Sequence, residues 1–101
     1  MKPPSECLDM VDIRAGIDAL DRELVALLAR RAAFIDRAAQ IKEAAGLPAN
    51  IPARVEDVVA KVRVAAGEAG FDVDLAERLW REMIDWSIAR EERHMGDRKD
   101  G

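Results

Sequence analysis

The stretch IRAGIDALDRELVALLARRAAFIDRAAQI, residues 13–41, sets apolar side chains at alternating steps of four and three: Ile13, Ile17, Leu20, Leu24, Leu27, then Phe34, Ala38 and Ile41. That spacing lines them up along one stripe of a helix. The single interruption is Arg31, which stands where the pattern asks for a leucine. A guanidinium keeps its charge under all ordinary conditions, so within such a seam it needs an anionic partner or imposes a large desolvation cost. No acidic residue of the stretch shares its face. Either another segment brings a carboxylate, or the seam contains a gap that holds an anionic ligand.

Working outward, Asp9 is placed to cap the helix, and Asp12 in the first turn complements its dipole. Gly16 costs about 1 kcal/mol relative to alanine without breaking the element. Gly46-Leu47-Pro48 then stops it. A helix of roughly 35 residues is about 50 Å long at a rise of 1.5 Å per residue, whereas a compact domain of this size has a radius of gyration of only about 13 Å. The apolar seam therefore asks for a second copy of the chain, and an intertwined homodimer is expected.

Pro52 fits the first turn of a second helix whose face is built by Val55, Val58, Val59 and Val62, and which Gly67 and Gly70 are expected to end. Asp72 or Asp74 would cap a third helix carrying Leu75, Leu79, Met83, Ile84, Trp86 and Ile88. The polar tail from His94 to Gly101 is expected to fray. With no strand signal and no internal repeat, residues 1–101 read as a single all-α domain of three helices, the first one long.

Of 101 residues, 50% are apolar and 36% charged, and the net charge is −4. Acidic and basic residues interleave throughout, which argues against a nucleic-acid partner. The lone Cys7 forms no intrachain disulfide and fits a reducing compartment. The start of the chain has no secretory h-region, and no apolar run is long enough to span a bilayer, so a cytoplasmic location without a membrane partner is expected.

Lys42 follows Arg31 by eleven residues, which brings it back to within about 20° of the same face some three turns along. Two cations on one stripe bracket a gap fit for a small dianion. Arg14 lies too far along the helix to join them, but it could reach the equivalent gap of a partner chain. Ser87 and Glu91, four apart, share one face of the third helix with Ile84 and Ile88, and Arg54 lies in the first turn of the second. Each has a plainer reading: a snorkelling arginine, a lysine favouring a helix C-terminus, polar side chains on a solvated face. Trp80 and Trp86 read as packing residues, and His94 carries no role. Metal-ligand spacings, a Ser-His-Asp set and a phosphate-cradling glycine loop are all missing from the sequence. An enzyme built this way would work without nucleophile, metal or cofactor.

Asp12-Ile13-Arg14, Ile17-Asp18, Leu24, Leu27-Leu28-Ala29-Arg30-Arg31 and Ile41-Lys42 together resemble the first helix of the all-α chorismate mutase family, and Arg14, Arg31, Lys42, Arg54, Ser87 and Glu91 match its site motif. The resemblance implies an entwined homodimer with two equivalent sites, each receiving Arg14 from the other protomer. It implies one of two pericyclic reactions on a small dicarboxylate: chorismate to prephenate, within aromatic amino acid biosynthesis, or isochorismate to salicylate and pyruvate. Arg14 and Arg31 would bind the carboxylates, Lys42 would donate to the ether oxygen, Arg54 would support the ring and Ser87 would contact a carboxylate. Glu91 stands where many members carry glutamine, and only a protonated Glu91 could donate to that oxygen. Ile51 replaces an acid common in the mutases, and the 51–55 loop and the N-terminal segment look more like the lyase branch; Ser87 with its four-residue step to Glu91 looks like the mutase branch. The mutase reaction is the favoured expectation. Outside the enzymes, the alternative is a helical dimerisation module in which Arg31 pairs with a partner carboxylate.

Overall fold

A computed structural model describes residues 2–96. A short 3-10 turn, Pro4–Glu6, precedes three helices: α1, Met10–Ala45; α2, Pro52–Ala69; and α3, Val73–Gly96. All regular structure among the described residues is helical, as the periodicity predicts. The chain divides into two compact units, Met1–Phe34 and Ile35–Gly101, and α1 runs through the boundary.

In the first unit the start of α1 is fixed locally. The Asp9 carboxylate accepts a hydrogen bond from the Asp12 backbone N–H at 3.0 Å, while Asp12 Oδ2 reaches back to the Leu8 N–H at 3.0 Å and to Lys2 Nζ at 3.2 Å. One of the helix's orphan donors and the N–H just before the cap are thereby satisfied reciprocally, in a variant of the capping box. The seam residues Ile17, Leu20, Leu24 and Leu27 are exposed along this unit.

In the second unit α1 and α2 end in the same way. Gly46 and Gly70 both take the left-handed conformation at φ 72°, which lets Leu47 N–H reach the Lys42 carbonyl and Phe71 N–H the Ala66 carbonyl, each at 2.8 Å. Both are Schellman closures, in which glycine spares the strain a Cβ would impose. Gly67, expected to end α2, instead lies within it and supplies the carbonyl that Gly70 N–H bonds. Of the two candidate caps for α3, Asp72 is the one used, accepting from Leu75 N–H at 2.9 Å. His94 to Gly96, expected to fray, continue α3; the rest of the expected tail lies outside the described residues.

Helices α2 and α3 pack against one another in antiparallel fashion, as their ion pairs show. Arg81 bonds both oxygens of Glu56 and also Glu77, and Arg63 bonds Glu77 and Asp74. The Arg81 hydrogen bonds hold the Glu56 and Glu77 carboxyls below the usual carboxylate range. Beneath this ladder the buried apolar residues are small or slender: Val59 and Ala66 on α2, Ala76 and Ile84 on α3, with Ala39 of α1 and Ala49 of the α1–α2 loop. Ser87 and Glu91 continue the buried stripe of α3, so a hydroxyl and a carboxylate occupy what the pattern marks as core positions.

Candidate functional site

Lys42 lies in the last turn of α1 and projects toward α3 and the α1–α2 loop. Its ammonium donates to the Ala49 carbonyl at 2.8 Å and stands 2.8 Å from Glu91 Oε1. Both side chains are withdrawn from water, with 20% of the Lys42 side chain and 4% of the Glu91 side chain exposed. The contact with Glu91 is close but poorly aligned: Oε1 is buried and has no hydrogen bond of good geometry. The carboxylate thus gains the ammonium's Coulombic attraction without a well-aligned hydrogen bond at that oxygen.

Ser87, 3% exposed, sits one turn before Glu91 on the same face. Its hydroxyl donates to the Met83 carbonyl at 2.8 Å, back along its own helix. The hydroxyl proton is turned toward the backbone here, and contact with a ligand carboxylate would require it to rotate. Arg54 behaves differently again. Its side chain is 61% exposed and its Nη1 stands 2.6 Å from Asp57, whose carboxylate also takes Lys61 Nζ at 2.9 Å. The hydrogen bonds from Lys61 and Arg54 hold the Asp57 carboxyl below its ordinary range.

The structure therefore brings Lys42, Glu91 and Ser87 to one buried region and leaves Arg54 on the surface, paired one turn along its own helix. Arg14 and Arg31 belong to the first unit, where Arg14 is exposed and Arg31 half-buried and not without a partner. Sequence reasoning missed the Ala49 carbonyl, because a loop's backbone direction leaves no mark in side-chain periodicity. It also missed Asp57, although an acid three residues after Arg54 is a visible helical neighbour.

A cavity of about 500 Å³ lies by the same loop, lined by Glu43, Leu47, Ala49, Asn50, Glu92 and Met95 among others. Its two carboxylates suit a dianion poorly, and neither Lys42 nor Glu91 lines it. The buried pair of Lys42 and Glu91 is the better candidate for chemistry: a cation within hydrogen-bonding distance of both a fixed carbonyl and a carboxyl, able to stabilise charge developing on an oxygen.

Residues 13–92 match the family described as Chorismate mutase type II. The chain is 35% identical over 92 residues to the isochorismate pyruvate lyase of Pseudomonas aeruginosa, covering 90% of this chain and 89% of that one. It is 24% identical over 86 residues to the chorismate mutase of Methanocaldococcus jannaschii, covering 85% and 87%. With the T-protein of Haemophilus influenzae it shares 36% identity over 80 residues, 79% of this chain and 21% of that longer protein. By the family match across most of its length, this chain belongs to the chorismate mutase type II family.

Proposed function

We propose that the chain is a chorismate mutase, converting chorismate to prephenate by holding the dicarboxylate substrate in its compact reactive conformer and placing a cation at the breaking ether oxygen. The observation that carries this reading is the buried pair of Lys42 and Glu91. A buried ion pair is weak support for a fold, since well-packed apolar residues of similar volume serve at least as well. Its retention at a core position, with Glu91 Oε1 held by a close but poorly aligned contact, suits a site whose hydrogen bonds are completed on a ligand.

No covalent intermediate is needed for a pericyclic shift. The protein's work is to select the compact conformer and to stabilise the charge that grows as the ether bond stretches. Lys42 is the donor to that oxygen and Glu91, when protonated, a second one. Arg31 and the partner's Arg14 take the carboxylates, Arg54 the ring side, and Ser87 a carboxylate after its hydroxyl turns. A protonated Glu91 lets the Lys42 ammonium give up its carboxylate contact and turn to substrate without losing the Ala49 carbonyl.

The second reading is an isochorismate pyruvate lyase, favoured by the similarity to the Pseudomonas aeruginosa enzyme over nearly the whole of both chains. Ile51 supports it as well. It is the residue at the N-terminal boundary of α2, where its apolar side chain offers neither a cap nor an acceptor for a substrate hydroxyl. Chorismate and isochorismate supplied separately distinguish the two: prephenate from the first supports the mutase, and salicylate from the second at a higher kcat/KM assigns the lyase. Turnover of neither would remove both readings.

The entwined dimer is part of the same proposal. The exposed seam of Ile17, Leu20, Leu24 and Leu27 supports it, because so long an apolar stripe is costly to leave in water. If Arg14 acts across the interface, Arg14→Ala and Lys42→Met chains are each inactive alone, yet one intact site forms in every mixed dimer. Co-refolding equal amounts should restore about a quarter of wild-type turnover, as expected for random pairing in a twofold dimer. A mixture no more active than its parts would place Arg14 in its own chain's site or outside the site.

A further inference from the structure

Arg90 immediately precedes Glu91 on α3, and its guanidinium grips Asp36 of α1 with both arms, Nε to Oδ1 at 2.5 Å and Nη2 to Oδ2 at 3.0 Å. The same guanidinium lies 5.3 Å from the centroid of the Trp86 ring, one turn back along α3. Further along the two helices, His94 Nε2 stands 3.9 Å from Glu43 Oε2. The end of α1 and the end of α3 are thus joined at Asp36–Arg90, Lys42–Glu91 and Glu43–His94, rising together along both helices.

These contacts differ in what they specify. An ammonium is a point charge with rotatable donors, so the attraction of Lys42 for Glu91 leaves the carboxylate's direction loosely set. The His94 contact is long. A bidentate guanidinium–carboxylate pair, by contrast, fixes both distance and plane, and the Trp86 ring holds Arg90 on a further side. Adjacent residues of a helix are separated by 1.5 Å along the axis and about 100° around it, so whatever fixes Arg90 fixes the backbone from which Glu91 projects.

We infer that Asp36 and Arg90 are positioning residues: their bidentate pair, braced on Trp86, sets the rotation and register of α3 that aim the Glu91 carboxyl at Lys42 and the substrate's reacting oxygen. This rests on the functional reading above. The pair is surface-accessible, with 42% of the Arg90 side chain and 47% of the Asp36 side chain exposed, and exposed pairs add little to stability. Its removal should therefore appear in the chemistry before it appears in the melt.

The test takes the full-length chain, establishes which of chorismate and isochorismate the wild type turns over, and compares Asp36→Asn, Arg90→Gln and the charge-reversed double variant Asp36→Arg/Arg90→Asp on that substrate. Each single variant should lose about tenfold in kcat with KM changed by less than about twofold, since small misplacements cost rate rather than affinity. The reversed pair should exceed either single variant in kcat by at least about threefold, as expected when two groups act through one contact, short of full recovery because the brace of Arg90 on Trp86 is lost. Circular dichroism under assay conditions keeps the folded fraction in view. Unchanged kcat in the single variants, a loss confined to KM, or a loss that follows the folded fraction and is not recovered by reversal would overturn the inference alone. A folded wild type silent on both substrates would remove the functional reading, and this inference with it.

Discussion

Lys42→Met is expected to damage the protein in two separable ways. Turnover should fall by about 10²–10³, the usual loss when a preorganised donor to a developing oxyanion is removed. Stability should fall by about 3–5 kcal/mol, because Glu91 is left as a buried carboxylate without its counter-charge. The second loss has a remedy that the first does not. Adding Glu91→Gln to the Lys42→Met chain removes the stranded charge, so urea denaturation should show most of the stability restored, while the rate stays low for want of the cation. Total stabilities of small domains are only about 5–15 kcal/mol, so rates must be measured well below the midpoint. A single variant as stable as wild type would mean that the buried pair is absent in solution; turnover within tenfold of wild type would take Lys42 out of the chemistry.

How far the sequence reaches depends on how local each determinant is. The start of α1 at Asp9 and its stop at Gly46 were legible because one carboxylate and one left-handed glycine decide them within a few residues. Gly67 misled for the same reason in reverse. Glycine can sit in the last turn of a helix, and it is Gly70, three positions later, that takes the positive φ. The persistence of α3 to Gly96 accompanies a tertiary contact, His94 with Glu43, that no local pattern announces.

The site divides along the same line. Helical spacing placed Ser87 and Glu91 on one face of α3, and the structure buries both. Spacing could not show that the Lys42 ammonium would meet Glu91 and the Ala49 carbonyl, since that depends on how α1, the loop and α3 come together. Asp36 and Arg90 lie 54 positions apart and carry no shared pattern at all. Arg54 meets Asp57 on its own helix, because a long side chain takes the nearest counter-charge, and the role proposed for it requires it to leave that partner.

Glu91 sets the pH behaviour that follows from the proposed function. Turnover by the wild-type chain should rise as the solution is made more acidic, whereas Glu91→Gln should show a nearly flat profile and outpace the wild type at neutral and alkaline pH. The sign comes from what each form can offer the ether oxygen. An ionised carboxylate has only lone pairs, so it repels the negative charge that grows there as the bond stretches; a protonated one, like the glutamine amide, donates a hydrogen bond to it. Other groups of this region must be kept apart from the effect. Lys42 and the Ala49 carbonyl are common to both proteins, Asp36 is held in its ionised form by Arg90, and His94 stands against Glu43 rather than Glu91. His94→Gln should therefore keep the acid-favoured profile. Rates with saturating substrate from pH 5 to 9 for the three proteins decide the matter: a flat wild-type profile, or one flattened by His94→Gln and untouched by Glu91→Gln, would remove Glu91 from the reacting oxygen.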